Sequence, residues 1–195
     1  MIKAEAEAEV VLFHHAQGLT AGVVALADTL RTGGHTVHTP DLFEGRTFAE
    51  LDDGLTYVRE VGETIDVRAT RAVQGLPTEV VYAGLSLGVM EAQRLAQTRP
   101  GARGALLLHA AVPPDAFGSE WPAGVPLQIH VMEDDELGDV DDARDVAATV
   151  EEAELFLYPG DAHLFTDSSL AAYDESATAL VIERMLAFLA TGTGT

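Results

Sequence analysis

No cysteine occurs among the 195 residues, which excludes disulfides, thiolate metal sites and a cysteine nucleophile at once. Lysine is nearly as scarce. Lys3 is the one example, and 11 Lys+Arg face 32 Asp+Glu for a formal charge of −21. Nucleic acids and anionic membrane surfaces both call for clustered cations, so neither partner is expected. With 8 Pro and 47% hydrophobic residues the composition is not that of a disordered polymer. No apolar run approaches the ~18–20 residues of a membrane span. The start alternates Ala and Glu from Ala4 to Glu9 and lacks the basic and apolar parts of a signal peptide, so a cytoplasmic location is expected. What remains is a single domain, large enough to bury roughly 70% of its extended-chain surface, under a self-repelling acidic surface.

Two hydrophobic periods alternate along the chain. Val10–Phe13, His35–His38, Glu79–Ala83, Gly104–Leu108, Pro126–Met132 and Leu155–Tyr158 read as strands. Between them Ala21–Leu30, Val89–Gln97 and Ala143–Val150 carry helical spacing. Phe48–Val73 reads as two helical pieces broken near Gly62, and Ala171–Leu189 as a long closing helix. Short β–α–β crossings are right-handed and parallel. The expectation is one α/β domain over residues 1–190, an open, mostly parallel, doubly wound sheet of about six strands, with 191–195 as a flexible tail.

In such sheets ligands bind beyond the carboxyl ends of the strands. The segments there are His14-His15-Ala16-Gln17-Gly18, Gly84-Leu85-Ser86-Leu87-Gly88, His109, Glu133-Asp134-Asp135 and Asp161-Ala162-His163. Gly84-x-Ser86-x-Gly88 lies between a buried strand and a helix, the setting of a nucleophile elbow, where the tight turn leaves no room for side chains two residues either side. Without catalysis, Ser86 would be an ordinary helix N-cap. A serine hydroxyl needs a base, and the base an orienting acid. In the chain order nucleophile–acid–histidine, His163 is the base and Asp135 the preferred acid over Asp134, with Glu133 third. His109 precedes every acid, and His130 sits within a strand, where a core role fits better. An oxyanion hole needs two N–H donors, each worth ~3–4 kcal/mol. Leu87 supplies one, and Ala16 or Gln17 the other. His15, Gln17, His109 and Trp121 are further pocket candidates, as are Phe43, Phe48 and Phe117. His14 and His15 have no third partner at metal-ligand spacing and read as pocket wall. Gly33-Gly34 belongs to neither phosphate-loop pattern. No metal or cofactor is expected.

With these residues in place the chain resembles the dienelactone hydrolase family of α/β hydrolases. The resemblance rests on Leu12-Phe13-His14-His15-Ala16-Gln17-Gly18, Thr39-Pro40-Asp41-Leu42-Phe43, the Ser86 elbow, Asp135 and Ala162-His163-Leu164-Phe165. It aligns Ala16 with the family's loop donor. It also implies departures: Ser86 stands where the namesake has cysteine, and His15 where it has a glutamate. Thr166-Asp167 replace an arginine that grips the substrate carboxylate, and Asp167 would repel an anion. The resemblance therefore implies a serine hydrolase acting on a small neutral ester or lactone. Thioesterase, peptidase or C–C hydrolase chemistry on the same triad, or a non-catalytic binding protein of the same fold, are the alternatives.

Overall fold

The computed structural model describes residues 7–191. In chain order the elements are β1 (Glu9–Phe13), α1 (Ala21–Thr32), β2 (Thr36–His38), α2 (Leu51–Val61), α3 (Thr64–Val73), β3 (Val81–Leu85) and α4 (Leu87–Thr98). Then follow β4 (Gly104–Leu108), β5 (Leu127–Met132), α5 (Val140–Thr149), β6 (Ala153–Tyr158) and α6 (Glu175–Thr191). The strands form a single sheet of six in the order β2-β1-β3-β4-β5-β6, every pairing parallel.

Burial explains the near-continuous apolar runs. Every residue of β3, β4 and β5 is buried, as strands covered on both faces must be. Along β1 the side chains alternate between two cores. Val11 and Phe13 belong to the core that includes residues of α3, α4 and α5, while Val10 and Leu12 belong to the one that includes residues of α1 and α6. The chain leaves β1 towards β2 on one side and returns at β3 on the other. The crevice at that reversal, outside the carboxyl ends of β1 and β3, is where such sheets hold ligands.

Several boundaries differ from the periodicity by two or three residues: α2 begins at Leu51 and not Phe48, β3 runs Val81–Leu85 and not Glu79–Ala83, and α5 begins at Val140 and not Ala143. The last helix begins at Glu175 instead of Ala171, because the Asp174 carboxylate accepts the Ala177 N–H at 2.9 Å and caps it there. The helix also includes Thr191, so the expected tail starts one residue too early; residues 192–195, the rest of that tail, and the first half of the Ala4–Glu9 alternation lie outside the described residues. The break at Gly62 falls where expected, with φ +49° between α2 and α3. Among the described residues no helix is long and apolar enough to cross a membrane.

Candidate active site

The elbow after β3 is built from steric necessity. Ser86 has φ 49° and ψ −112°, outside the regions an L-residue favours. A Cβ at Gly88 would lie 2.3 Å from the Phe13 carbonyl oxygen, and one at Gly84 would overlap the Gly88 carbonyl. The two glycines let α4 press directly on β1 and β3. The Ser86 N–H donates to Leu108 O at 2.8 Å, which ties the strained residue to β4. Ser86 occupies the N-cap position of α4, yet its side chain makes no capping bond. Its Oγ is instead 2.8 Å from His163 Nε2.

His163 follows β6 and comes to Ser86 across 77 residues of chain. Its Nδ1 is 2.8 Å from Asp135 Oδ2, and Asp135 Oδ1 accepts the Leu137 N–H at 3.0 Å. Of the acidic run Glu133–Glu136, Asp135 alone is buried. An ionised carboxylate accepts only, so the imidazole carries its proton on Nδ1 and offers the Nε2 lone pair to the serine hydroxyl. The residue after the histidine, Leu164, holds φ +62°, so the turn that presents His163 is itself locally strained.

The loop after β1 forms a tight turn closed by Gly18 N–H to His15 O at 3.0 Å. In that turn the Gln17 N–H is consumed by His15 Nδ1 at 3.2 Å. The Ala16 N–H remains as the loop's free donor, while the Leu87 N–H, at the first position of α4, has no partner inside the helix. The Gln17 side chain donates to Phe48 O at 3.1 Å and Ala49 O at 2.8 Å, pinning the segment before α2. A cavity of about 220 Å³ beside His163 is lined by Gln17, Glu50, Leu51 and Leu170 among others. Its one acidic wall residue is a glutamate, and no Lys or Arg lines it. At Gly54 the α2 backbone rests on the Ala16 carbonyl so closely that a Cβ would overlap it.

Other expected site residues lie elsewhere. Trp121 donates to Val125 O at 2.7 Å and lines a separate groove of about 840 Å³ with Pro114 and Glu152, which contains no triad residue. Phe117 ends the short 3-10 turn beginning at Pro114 and does not line the His163 cavity. Phe43 is core, stacked edge-on with His14, and Phe48 packs against it. His14 is no pocket wall: its Nδ1 bonds His15 O at 2.8 Å and its Nε2 accepts the Leu42 N–H at 3.0 Å. His15 and His109 are both wholly buried. The His109 ring lies 6.0 Å from that of His163 and bonds Thr166 Oγ1 at 2.7 Å. Burial, then the neighbouring His163, holds the His109 pKa well below its usual range. His130 is the core residue its strand suggested, bonded to Tyr158 and Gln128. Among the described residues no group of three His, Cys, Asp or Glu is arranged to hold a metal.

Asp167 overturns an expectation. It does not face substrate, because it is wholly buried and its Oδ2 lies 2.8 Å from His15 Nε2. No local pattern marks that pairing, which joins residues 152 positions apart.

Six parallel strands in this order, with a glycine-flanked serine bend after the third and a histidine after the sixth, define an α/β-hydrolase fold. The family model of the dienelactone hydrolases matches residues 2–192, and the chain belongs to that family, which supports a hydrolase. A dienelactone hydrolase-like promiscuous phosphotriesterase from metagenomic libraries superposes with TM-score 0.74 at 19% identity, covering 98% of this chain and 89% of that one. An α/β-superfamily hydrolase from Xanthomonas campestris gives 0.69 at 22%, over 94% and 98%. The thioesterase domain from the curacin biosynthetic pathway gives 0.62 at 16%, over 92% of each chain. At these identities the likeness is one of fold. Among curated proteins none matches the sequence.

Proposed function

We propose that the protein is a serine hydrolase that cleaves a small, neutral carboxylic ester or lactone through an acyl-enzyme on Ser86. The observation that carries this reading is the unbroken relay from Ser86 Oγ to His163 Nε2 and from His163 Nδ1 to Asp135 Oδ2, with 2.8 Å at each link. As Oγ attacks the acyl carbon, its proton passes to His163 Nε2, and Asp135 stabilises the imidazolium. The oxyanion is received by the Leu87 and Ala16 N–H groups. Collapse breaks the bond to the leaving oxygen, which takes the proton from His163. Water then gives a proton to His163 and attacks the acyl carbon, and the returning proton restores Ser86 as the acid leaves. No step calls on a metal or organic cofactor.

The walls of the neighbouring cavity support this choice of substrate class. A cavity of about 220 Å³ with a glutamate on its rim suits a short acyl or alcohol group without negative charge. Ser86→Ala should lower kcat for p-nitrophenyl acetate by at least about 10³-fold while the thermal melt stays cooperative. A fluorophosphonate probe should label wild type once, at Ser86. Near-normal turnover in Ser86→Ala would remove the serine from its role, and absence of label on an inactive wild type would favour a binding protein. A panel of esters, lactones, thioesters and peptides separates the chemistries that share such a triad.

A further inference from the structure

Behind the oxyanion loop lies a second histidine–carboxylate pair that the acyl-transfer steps do not use. Asp167, four residues beyond His163, is enclosed by donors. Its Oδ2 accepts from His15 Nε2–H at 2.8 Å and from the Thr20 hydroxyl, and its Oδ1 accepts from Ser169 N–H at 2.8 Å and Ser169 Oγ–H at 2.6 Å. Thr20 is also the N-cap of α1, bonding the Val23 N–H at 3.2 Å. A Cβ at Gly22 would overlap the Asp167 carboxylate, so this position admits only glycine without rearrangement. Burial alone would raise the Asp167 pKa; the hydrogen bonds from His15, Ser169 and Thr20 outweigh it and hold the value down at about 2. The carboxylate is therefore ionised and seated at the positive end of α1.

That charge dictates the state of His15. A carboxylate requires a proton on Nε2, so Nδ1 of the neutral ring is an acceptor, and it takes the Gln17 N–H at 3.2 Å. Within the turn His15–Gly18 the Gln17 and Gly18 N–H groups are thus both engaged, while no hydrogen bond among the described residues takes the Ala16 N–H. We infer that His15 and Asp167 are positioning residues: through the Gln17 N–H they fix the turn that presents the Ala16 donor, and they tie that turn to the loop carrying His163. The inference rests on the acyl-hydrolase reading above and adds to it how the two halves of the site keep register. A misaimed donor weakens transition-state binding and leaves substrate binding nearly unchanged, so the effect belongs in kcat.

The test compares His15→Leu, His15→Asn and the double variant His15→Leu/Asp167→Asn with wild type. It uses p-nitrophenyl acetate kinetics, inhibition by phenylboronic acid, whose serine adduct mimics the tetrahedral intermediate, and thermal melts. His15→Leu should lose roughly 10–100-fold in kcat, a typical cost for disturbing a supporting shell. KM should stay within about threefold, and phenylboronic acid should bind more weakly by the factor lost in kcat. His15→Asn places Oδ1 where Nδ1 was, restores an acceptor for Gln17 and should recover part of kcat. The double variant removes the buried charge together with its partner, so its melting temperature should rise above that of His15→Leu while kcat stays low. A folded His15→Leu with kcat within about twofold of wild type overturns the inference. So does a double variant that regains both stability and kcat, since the pair would then serve folding alone. Failure of the underlying reading looks different: wild type itself would neither take a fluorophosphonate label nor bind phenylboronic acid, and both proposals would fall.

Discussion

Gly88→Ala puts the elbow's steric logic on trial. The new methyl carbon would begin 2.3 Å from the Phe13 carbonyl oxygen, where real Cβ atoms stay at 3.0 Å or beyond. Both neighbours are backbone, so no side chain can swing aside. The N-terminus of α4 must retreat from β1 by about 0.7 Å, judged from those two distances. Overpacking of this size costs about 1–3 kcal/mol, which for a chain of this length lowers Tm by roughly 2–12 °C. The larger effect should be kinetic. Leu87 N–H and Ser86 Oγ ride on the retreating helix while Ala16 stays with β1, and ~1 Å of misplacement costs about 10²-fold. Steady-state hydrolysis of p-nitrophenyl acetate with parallel thermal melts reads both. Gly75→Ala is the control, because a Cβ there meets nothing within 4 Å. A Gly88→Ala enzyme with wild-type kcat and Tm would show that the close approach of α4 to β1 is not what places the nucleophile.

The identity of the acid is checked by a pair of variants: Asp135→Asn should lower kcat by about 10³–10⁴-fold, and Asp134→Asn should leave it within about twofold. Acid stability follows from buried groups. Burial lowers His14 to about 4 and His130 to about 3, and lowers His109 well below its usual 6.5. Folded values below unfolded ones mean stability that is complete above about 6.5 and lost as pH falls towards 3–4. Glu91 runs the other way: burial, then a hydrogen bond with Asp66, raises it from 4.5 to about 7. Its stabilisation is complete below about 4.5 and lost as pH rises through 7. At pH 5 unfolding should therefore take up about two protons from these four groups, three imidazoles gained less nearly one carboxyl already protonated in the fold. Glu91→Gln should raise that to about three, read from the pH dependence of urea unfolding; equal slopes would refute the Glu91 assignment.

Legibility tracked how local the signal was. Ser86 announced itself because the elbow's steric demand falls on residues two positions away, Gly84 and Gly88. His163 and Asp135 were found through chain order, and burial, which no single sequence prints, separates Asp135 from Asp134. The sheet was readable because β3 and β4 are apolar on both faces. Trp121 was misplaced because the loop from His109 to Pro126 gives no periodic clue to where it runs. In the sequence Asp167 reads as a charge that would repel an anionic substrate, because its donors come from His15, Thr20 and Ser169, the first two more than 140 residues away. The early start assigned to α6 has a plainer cause: Ala171 and Ala172 are good helix formers, and Asp174 wins by capping.

Where α2 meets the first loop at Gly54, main chain lies against main chain, with no side chain between them to rearrange. A helix seated that way cannot swing out like a flap without dragging the turn that bears Ala16. The α2 end that walls this small chamber and the turn that bears Ala16 travel as a single piece, so the chamber gains rigidity and gives up the option of opening wide for a bulky guest.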